Sequence, residues 1–213
     1  FISYFRSRFP EKAYYHLPNV PYKDHKAGKK HILAEKPVVL IYQGYLRKEN
    51  SLHNLLSAIS SRRDYELIIV GEGPELENTR KQIDELDLGK RVDLIGSVPF
   101  EKLSQYTRRA HIGIHPVYCA SLNIDLTLPN KIFDYTNQGL PVLMGRTTAI
   151  GNLLKKYPIG VQADVESPSS ILQGLDDMVR DYETLSDSCM KARKELCWEN
   201  YEKGLRAFLT QPS

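Results

Sequence analysis

The sequence has few of the features that mark several common classes of protein. Its 213 residues include three cysteines, an odd number without metal-ligand spacing, so we predict neither a disulfide framework nor a structural metal site. No apolar run approaches the ~20 residues that a membrane-spanning helix needs. The formal net charge is only +3, which does not indicate a nucleic-acid partner. Together these absences favour a cytoplasmic globular protein.

The composition suits one sizeable domain, and the first 36 residues differ from the rest. Charged residues are 26% and apolar residues 41%, which is ordinary for a chain that buries a core. Residues 1–36 carry Pro10, Pro18 and Pro21, together with the basic run 23–31. That run has no helical or strand period, so a solvated linker is favoured over a phosphate-binding patch. The sequence also lacks an initiator methionine, so we expect a piece of a longer protein. We predict that 1–36 is an inter-domain connection or the remnant of an N-terminal domain, and that 37–209 is the domain proper.

From residue 37 onward, short β-branched runs alternate with amphipathic helical stretches. The predicted strands are 38–44, 65–71, 91–96, 111–117, 141–145 and 159–164; the predicted helices lie near 51–62, 75–86, 100–109, 129–138 and 148–156, followed by a helical tail at 168–209. Strands that are apolar on both faces and are followed by helices are typical of a parallel sheet covered on both sides. We therefore predict a doubly wound, Rossmann-like α/β domain. Such sheets bind ligands beyond the carboxyl ends of their strands.

The first strand-to-helix loop reads YQGYLRKENSL, and it has the composition of an anion site. Gly44 ends the strand, Arg47 and Lys48 follow, and Asn50 or Ser51 can cap the next helix. Helix N-terminal NH groups combined with cations commonly bind phosphate. An ordinary exposed basic turn explains the same residues equally well.

The second loop, VGEGPEL, has two glycines and a proline at the start of a helix. Gly71 and Gly73 permit a tight turn over a ligand, but Leu76 occupies the place of the third glycine in the dinucleotide-binding fingerprint. The loop therefore indicates a nucleotide-facing turn at most. The third loop, 95–103, has the composition of an ordinary βα connection.

The fourth loop, at 114–131, is long for a connection of this type, where ~2–6 residues is usual. Long loops at the ligand end of a sheet are more often functional. His115 stands where this loop leaves its strand. A core histidine is favoured there over a substrate contact.

The segment LPNKIFDYTNQGLPVL then predicts a helix that begins at Thr127 or Asn130 and ends at Gly139. Lys131 and Asp134 lie three residues apart, on one side of that helix. A lysine in the first turn opposes the helix dipole, and a bound anion would compensate for this. The alternative is an exposed ion pair.

These motifs, in this order and spacing, resemble the C-terminal, donor-binding domain of GT-B glycosyltransferases, and most of all the retaining family called GT4. The matching segments are YQGYL, IIVGEGPEL, VDLIGSVP and LPNKIFDYTNQGLPVL, with Trp198 and Glu199 in a tail like the one that often closes this domain. The resemblance covers about residues 37–205. It implies one half of a two-domain GT-B architecture.

The resemblance also implies roles for individual residues. Asp134 would accept hydrogen bonds from the nucleotide ribose, and Lys131 and Lys48 are candidate stabilisers of the departing diphosphate. The full set implied in donor binding is Gly44, Arg47, Lys48, Gly71, Gly73, Asp125, Asn130, Lys131 and Asp134. Catalytic residues proper are expected on the N-terminal domain or in the cleft between the domains.

Two departures from the family pattern weaken the expected site. Members with a similar first loop usually carry Arg-Gly where this chain has Asn50 and Ser51. The acid that usually touches the donor sugar corresponds to Leu126, and the adjacent Asp125 is the candidate substitute.

The implied function is a hexosyl-type glycosyltransferase of polysaccharide or glycoconjugate biosynthesis. Its donor would be a nucleoside diphosphate sugar, its acceptor a glycan or a lipid-linked glycan at the cytoplasmic membrane face, and it would need no cofactor or metal. Because part of the cleft would be missing, we expect this chain to bind nucleotide without turnover. A non-catalytic nucleotide- or partner-binding module is the alternative, and a sugar-nucleotide epimerase, for which His115 is the lone acid–base candidate, ranks last.

Overall fold

The computed structural model describes residues 2–22, 33 and 37–210. Its centre is a six-stranded parallel sheet in the order β3-β2-β1-β4-β5-β6. The strands are β1 (Val38–Gln43), β2 (Tyr65–Val70), β3 (Val92–Gly96), β4 (Ile112–His115), β5 (Val142–Gly145) and β6 (Gly160–Ala163). The doubly wound α/β prediction is confirmed. The strand predicted at 111–117 ends at His115 because Pro116 has no N–H for the ladder.

Ten α-helices lie among the described residues. They are α1 (Ile2–Arg8), α2 (Leu52–Ser60), α3 (Leu76–Glu85), α4 (Phe100–Thr107), α5 (Leu122–Leu126), α6 (Asn130–Asn137), α7 (Thr148–Lys156), α8 (Pro168–Arg180), α9 (Tyr182–Ala192) and α10 (Trp198–Leu209). The helical tail predicted at 168–209 contains three of them. The long fourth loop contains the short helix α5, which the sequence analysis did not anticipate.

Both faces of the sheet are covered, which explains why its strands are apolar on both sides. Along β1, Leu40 and Tyr42 belong to one buried cluster, whereas Ile41 belongs to the other. Helices α2 and α8 pack together over the first face, and α6, α7 and α9 lie over the second. Full burial of one Leu or Ile side chain stabilises the folded protein by about 1.5–3 kcal/mol relative to an exposed side chain.

The segment before the sheet lies against α10. Val20 is buried, the Trp198 N–H donates to the Pro21 carbonyl at 2.9 Å, and the Tyr15 hydroxyl donates to the Tyr201 carbonyl at 2.9 Å. The basic run at 23–31 falls outside the described residues. We propose that residues 1–36 connect this domain to a preceding one.

The strand order places a switch point between β1 and β4. From β1 the chain winds outward through β2 to β3, and then crosses back to β4 on the other side of β1. The loops leaving β1 and β4 therefore diverge, and a crevice opens between them at the carboxyl edge. Ligands of open α/β sheets bind in this crevice.

Candidate functional site

The loops that follow β1 and β2 are packed into one unit at the carboxyl edge. The Gly44 N–H donates to the Val70 carbonyl at 2.8 Å, and the Leu46 N–H donates to the Glu72 carbonyl at 2.7 Å. A Cβ atom at Gly71 would lie 1.8 Å from the Gly44 oxygen. Only glycine permits this approach, so loop packing already accounts for Gly71.

Gly73, two residues further along the loop, also permits close backbone packing. A Cβ atom there would lie 2.3 Å from the Leu46 oxygen. The nearness of Gly71 and Gly73 to a nucleotide stays a prediction.

Lys131 crosses the end of β1. It extends from the first turn of α6 over Gly44, where a Cβ atom would lie 2.0 Å from the lysine Nζ. The same Nζ lies 5.1 Å from the centroid of the Tyr42 ring. Gly44 has φ +137°, so a side chain there would be strained and would also displace Lys131. The sequence thus places the lysine ammonium directly over the β1 end of the crevice.

The charges of Lys131 and Asp134 are poorly solvated. Burial and, to a smaller extent, the Arg47 guanidinium lower the pKa of Lys131 to about 8, against the opposing attraction of Asp134. Burial raises the pKa of Asp134, against the attraction of Lys131. The ion pairs among the described residues do not include these two side chains. The alternative of an exposed ion pair is therefore wrong.

Asp134 lines a groove between α4 and α6. This cavity has a volume of about 520 Å³, and Asn130 and Asn137 line the same wall. The side chains at positions 130, 134 and 137 recur at helical spacing, so they share one face of α6. The cavity is of the size that holds small-molecule ligands. Asn130 and Asp134 are thus brought together on this wall.

The basic residues of the first loop are exposed. Arg47 and Lys48 both reach solvent, and the Arg47 guanidinium lies 5.3 Å from the centroid of the Tyr45 ring. Asn50 is buried, and its Oδ1 accepts the Arg47 backbone N–H at 2.7 Å. Asn50 therefore shapes the loop rather than facing a ligand, while Arg47 is close enough to influence Lys131.

Ser51 starts α2 from an unfavourable backbone conformation. Its φ is +45° and its ψ +31°, in the left-handed region, and its buried hydroxyl has no hydrogen-bond partner among the described residues. Side-chain capping of α2 by Ser51, expected from the sequence, does not occur. The geometry suits glycine, the residue found here in the related first-loop pattern.

Replacement of Ser51 by glycine is expected to raise the free energy of unfolding by about 1 kcal/mol. The change removes left-handed strain and an unpaired buried hydroxyl, and these gains exceed the chain entropy that glycine adds. Urea unfolding measures the effect. Asp87→Gly, at an exposed left-handed position, should gain less because aspartate tolerates this conformation. A loss of stability in Ser51→Gly would contradict the interpretation.

Asp125 is engaged by the next helix. Its Oδ1 accepts the Thr148 N–H at 2.7 Å, and this bond is the main cause that lowers the pKa of Asp125. The Thr147 hydroxyl accepts the Ile150 N–H at 3.2 Å, so both side chains satisfy the start of α7. A sugar contact by Asp125 stays a prediction and would depend on its other carboxylate oxygen. Leu126 lines a separate cavity of about 790 Å³.

His115 is buried at the end of β4. It is 7% exposed, and its Nδ1 has no partner among the described residues. Burial, together with the charge of Lys131, lowers the pKa of His115 to about 3. The preferred interpretation as a core histidine accords with this burial.

Acid should destabilise the protein through His115. Since the folded pKa of about 3 lies below the unfolded value of ~6.5, the unfolded state takes up the proton first as the pH falls. The contribution of His115 to the free energy of unfolding should fall by about 2 kcal/mol between pH 7.5 and pH 5. In urea unfolding, the free energy of unfolding of His115→Leu should therefore fall less than that of the wild type between pH 7.5 and pH 5, and the difference should be about 2 kcal/mol. His53→Leu, at an exposed histidine, is the matched control and should keep the wild-type pH dependence.

Tyr135, which fixes α6 against the strands, was not among the residues predicted from the sequence. The Tyr135 hydroxyl accepts the Gln43 N–H at 3.0 Å and donates to the Ile41 carbonyl at 3.2 Å. The Tyr135 ring fills the space over Gly113, where a Cβ atom would lie 2.5 Å from it. A glycine within the apolar strand HIGIH was the available signal, because it indicates close approach of another group. Tyr135 thereby positions Lys131, one turn earlier.

Comparison with known proteins gives the family. Residues 24–195 match the family described as glycosyl transferases group 1. The phosphatidylinositol N-acetylglucosaminyltransferase GPI3 subunit of Saccharomyces cerevisiae (strain RM11-1a) is 26% identical over 180 residues, which cover 72% of this chain and 40% of that protein. The chain thus spans less than half of the curated relatives it matches.

Solved structures share the fold at low sequence identity. Anabaena Alr3699/HepE in complex with UDP has a TM-score of 0.68 at 14% identity, over 82% of this chain and 49% of that one. The C-terminal domain of the group 1 glycosyl transferase LpcC from Francisella tularensis has a TM-score of 0.55 at 13% identity, over 82% and 85% of the two chains. Together with the family match, these folds confirm the resemblance found in the motifs: the chain belongs to the glycosyl transferases of group 1, as a Rossmann-like domain of the GT-B type.

Proposed function

We propose that this domain binds a nucleoside diphosphate sugar at the crevice between β1 and β4 and presents it for glycosyl transfer. The observation that carries the proposal is the placement of Lys131. A partly desolvated ammonium lies over Gly44, beside the loop that carries Arg47 and one turn from Asp134. Asp134 attracts Lys131 without forming an ion pair with it, and a diphosphate would supply a close counter-charge. The UDP complex of the Anabaena neighbour supports a uridine donor.

The chemistry follows from the charge of the leaving group. Negative charge builds up on the departing diphosphate, and fixed cations and NH groups placed at its oxygens stabilise the transition state. We assign this role to Lys131, with Arg47 or Lys48 and the first NH groups of α2 as further donors. Asp134 would hold the ribose. Retention of configuration without a metal belongs to the same proposal.

The acceptor is proposed to be a glycan or a lipid-linked glycan. The name of the yeast relative contains phosphatidylinositol, which supports a lipid acceptor. A location at the cytoplasmic face of a membrane is part of the same proposal. Among the described residues, no helix combines the length and apolarity needed to cross a bilayer.

Calorimetric titration with UDP, GDP, ADP and CDP tests the donor proposal. We expect saturable binding of at least one of these nucleotides, with UDP preferred. Binding of none of the four would overturn the proposal.

A second candidate is a non-catalytic nucleotide- or partner-binding module. Buried Asn50 and apolar Leu126 favour it, because both stand where related enzymes carry charged groups. The epimerase alternative loses support, since buried His115 is poorly suited to proton transfer at neutral pH.

Transfer assays separate an incomplete enzyme from a non-catalytic module. We expect the 213-residue chain to bind nucleotide without transferring sugar, and a longer protein containing this domain to be active. An inactive longer protein would favour the non-catalytic module. Transfer by the isolated chain would contradict the assignment of the acceptor side to another domain.

A further inference from the structure

We infer that Tyr135 is a positioning residue for the donor diphosphate: its hydroxyl stops the β1–β4 ladder at the switch point and so fixes Lys131 above Gly44. The hydroxyl is bonded to backbone groups, and it acts on the ligand through the lysine. The inference rests on the proposed function and deepens it, because it assigns the group that holds the diphosphate contact in place.

The hydrogen-bonded ladder between β1 and β4 is shorter than either strand. Its register joins two residue pairs, and both strands continue for two residues beyond the last pair, Ile41 and Gly113. On its other side, β1 stays paired with β2 as far as Gln43 and Val70. Strands β1 and β4 therefore separate before they end, and the crevice begins where they separate.

The Tyr135 hydroxyl occupies the place where this ladder stops. It accepts the Gln43 N–H at 3.0 Å and donates to the Ile41 carbonyl at 3.2 Å. Earlier on β1, the Val39 carbonyl accepts the His111 N–H at 2.7 Å. Since backbone groups alternate between the two neighbours of a strand, those of Ile41 and Gln43 also point toward β4. The hydroxyl thus takes the N–H that a longer ladder would use.

Both ends of the Tyr135 side chain are fixed. The residue is fully buried, and its ring lies so close to Gly113 that a Cβ atom there would be 2.5 Å away. Burial also raises the pKa of the hydroxyl well above its ordinary value, so the hydroxyl keeps its proton and remains a donor. The side chain is therefore a rigid link between α6 and the end of β1.

This link connects the two sides of the contact between Lys131 and Gly44. Lys131 lies one turn before Tyr135 on α6, and Gly44 directly follows Gln43. The contact is close, because a Cβ atom at Gly44 would lie 2.0 Å from the lysine Nζ. The Thr107 hydroxyl donates to the Gln43 Oε1 at 3.0 Å and holds the strand end from the other side. A small shift of α6 away from β1 would therefore carry the ammonium off the strand end and into solvent.

The ionisation of Lys131 reports its position without any ligand. Burial and, to a smaller extent, the Arg47 guanidinium lower its pKa to about 8. The ammonium also faces Asp134 on α6, the Tyr42 ring on β1 and His115 at the end of β4. An ammonium released into solvent would return toward the ordinary pKa of ~10.4. A hydroxyl that served the fold alone would leave the lysine where it is, with its pKa unchanged.

Tyr135→Phe tests the inference, because it removes the hydroxyl and keeps the ring over Gly113. We expect UDP and inorganic pyrophosphate to bind about tenfold more weakly than to the wild type, since the ammonium is displaced rather than removed. The two ligands share the diphosphate, so both affinities should fall by the same factor. Calorimetry measures the affinities. ¹³C NMR of labelled lysine side chains, with the Lys131 signal identified by its absence in Lys131→Met, should show a pKa above about 8 in the variant.

Tyr65→Phe is the matched control. The Tyr65 hydroxyl is also bonded within the domain, to Asp176 Oδ1 at 3.0 Å, but Tyr65 begins β2 at the amino edge of the sheet. The control should keep both wild-type affinities and the low pKa of Lys131. Urea unfolding of the two variants separates a loss of stability from a loss of affinity.

Several results would overturn the inference alone. They are wild-type affinity for both ligands in Tyr135→Phe, a loss confined to UDP, and a Lys131 pKa that stays at about 8 in the variant. Failure of Tyr135→Phe to fold would also overturn it, because the hydroxyl would then be structural. Absence of any UDP binding by the wild type would overturn the donor proposal and this inference together.

Discussion

Lys131→Met is expected to weaken UDP binding by about one to two orders of magnitude and at the same time to stabilise the fold. Hydrogen bonds to charged groups contribute about 1.5–3 kcal/mol, so loss of the ammonium beside the diphosphate accounts for the binding change. Stability should rise because the folded protein keeps this lysine partly desolvated over Gly44. Few side chains outside a ligand site would show both effects together.

The pH dependence of that stabilisation follows from the sign of the shift. The folded pKa of Lys131 is about 8, below the unfolded value of ~10.4, so charging this lysine opposes folding at every pH below 8. The shift corresponds to about 1–3 kcal/mol of destabilisation at pH 7, and this fades as the pH rises above the folded pKa. Methionine removes the penalty, and its unbranched side chain is only one heavy atom shorter than that of lysine.

Calorimetry with UDP and urea unfolding at pH 7 measure the two effects of Lys131→Met. Lys90→Met is the matched control, because Lys90 is exposed and lies next to the amino end of β3, away from the crevice. The control should change neither quantity appreciably. Unchanged UDP affinity in Lys131→Met would contradict the role of the lysine, whatever happens to stability.

Asp134→Ala is expected to lower UDP affinity by about 10- to 100-fold and to leave pyrophosphate affinity equal or higher. The carboxylate would hold the ribose through charge-assisted hydrogen bonds, which are worth about 1.5–3 kcal/mol. Pyrophosphate has no ribose, and removal of a negative charge near Lys131 favours any anion there. The fold should not be weakened, since burial already raises the pKa of this carboxyl and disfavours its charged form.

A comparison of the two ligands therefore separates ribose binding from a structural role. Asp84→Ala, at an exposed aspartate of α3, is the control and should bind both ligands as the wild type does. A large loss of stability with unchanged UDP affinity in Asp134→Ala would show that the carboxylate is structural.

The fold could be predicted from the sequence because its signals are local and repeated. Strands such as VVLIYQ and YELIIV are apolar on both faces, and each is followed by an amphipathic helix. Two faces of a strand can be buried together only when helices cover both sides of the sheet. The order of the loops then placed the crevice at the carboxyl edge, where Gly44 and Lys131 meet.

The finer geometry of the site could not be predicted, because it depends on contacts between distant segments. Asp125 was expected near the donor sugar, yet its Oδ1 binds the first turn of α7, 23 residues further along the chain. Asn137 was not predicted to line the groove, because its position depends on contact with the distant segment that contains Tyr22. Asn50 or Ser51 was expected to cap α2, but Asn50 bonds the Arg47 N–H instead, and the tight turn after the 3-10 helix at Lys48–Asn50 forces Ser51 into the left-handed region.

Amide NMR of the ¹⁵N-labelled chain during titration with UDP tests the central claim most directly. The account predicts saturable shifts confined to the carboxyl edge and the α4–α6 groove, centred on Gly44, Ser51, Lys131 and Asp134, with Lys131→Met abolishing most of them. Saturable shifts that cluster elsewhere, or no shifts at millimolar UDP, would contradict a nucleotide site between β1 and β4.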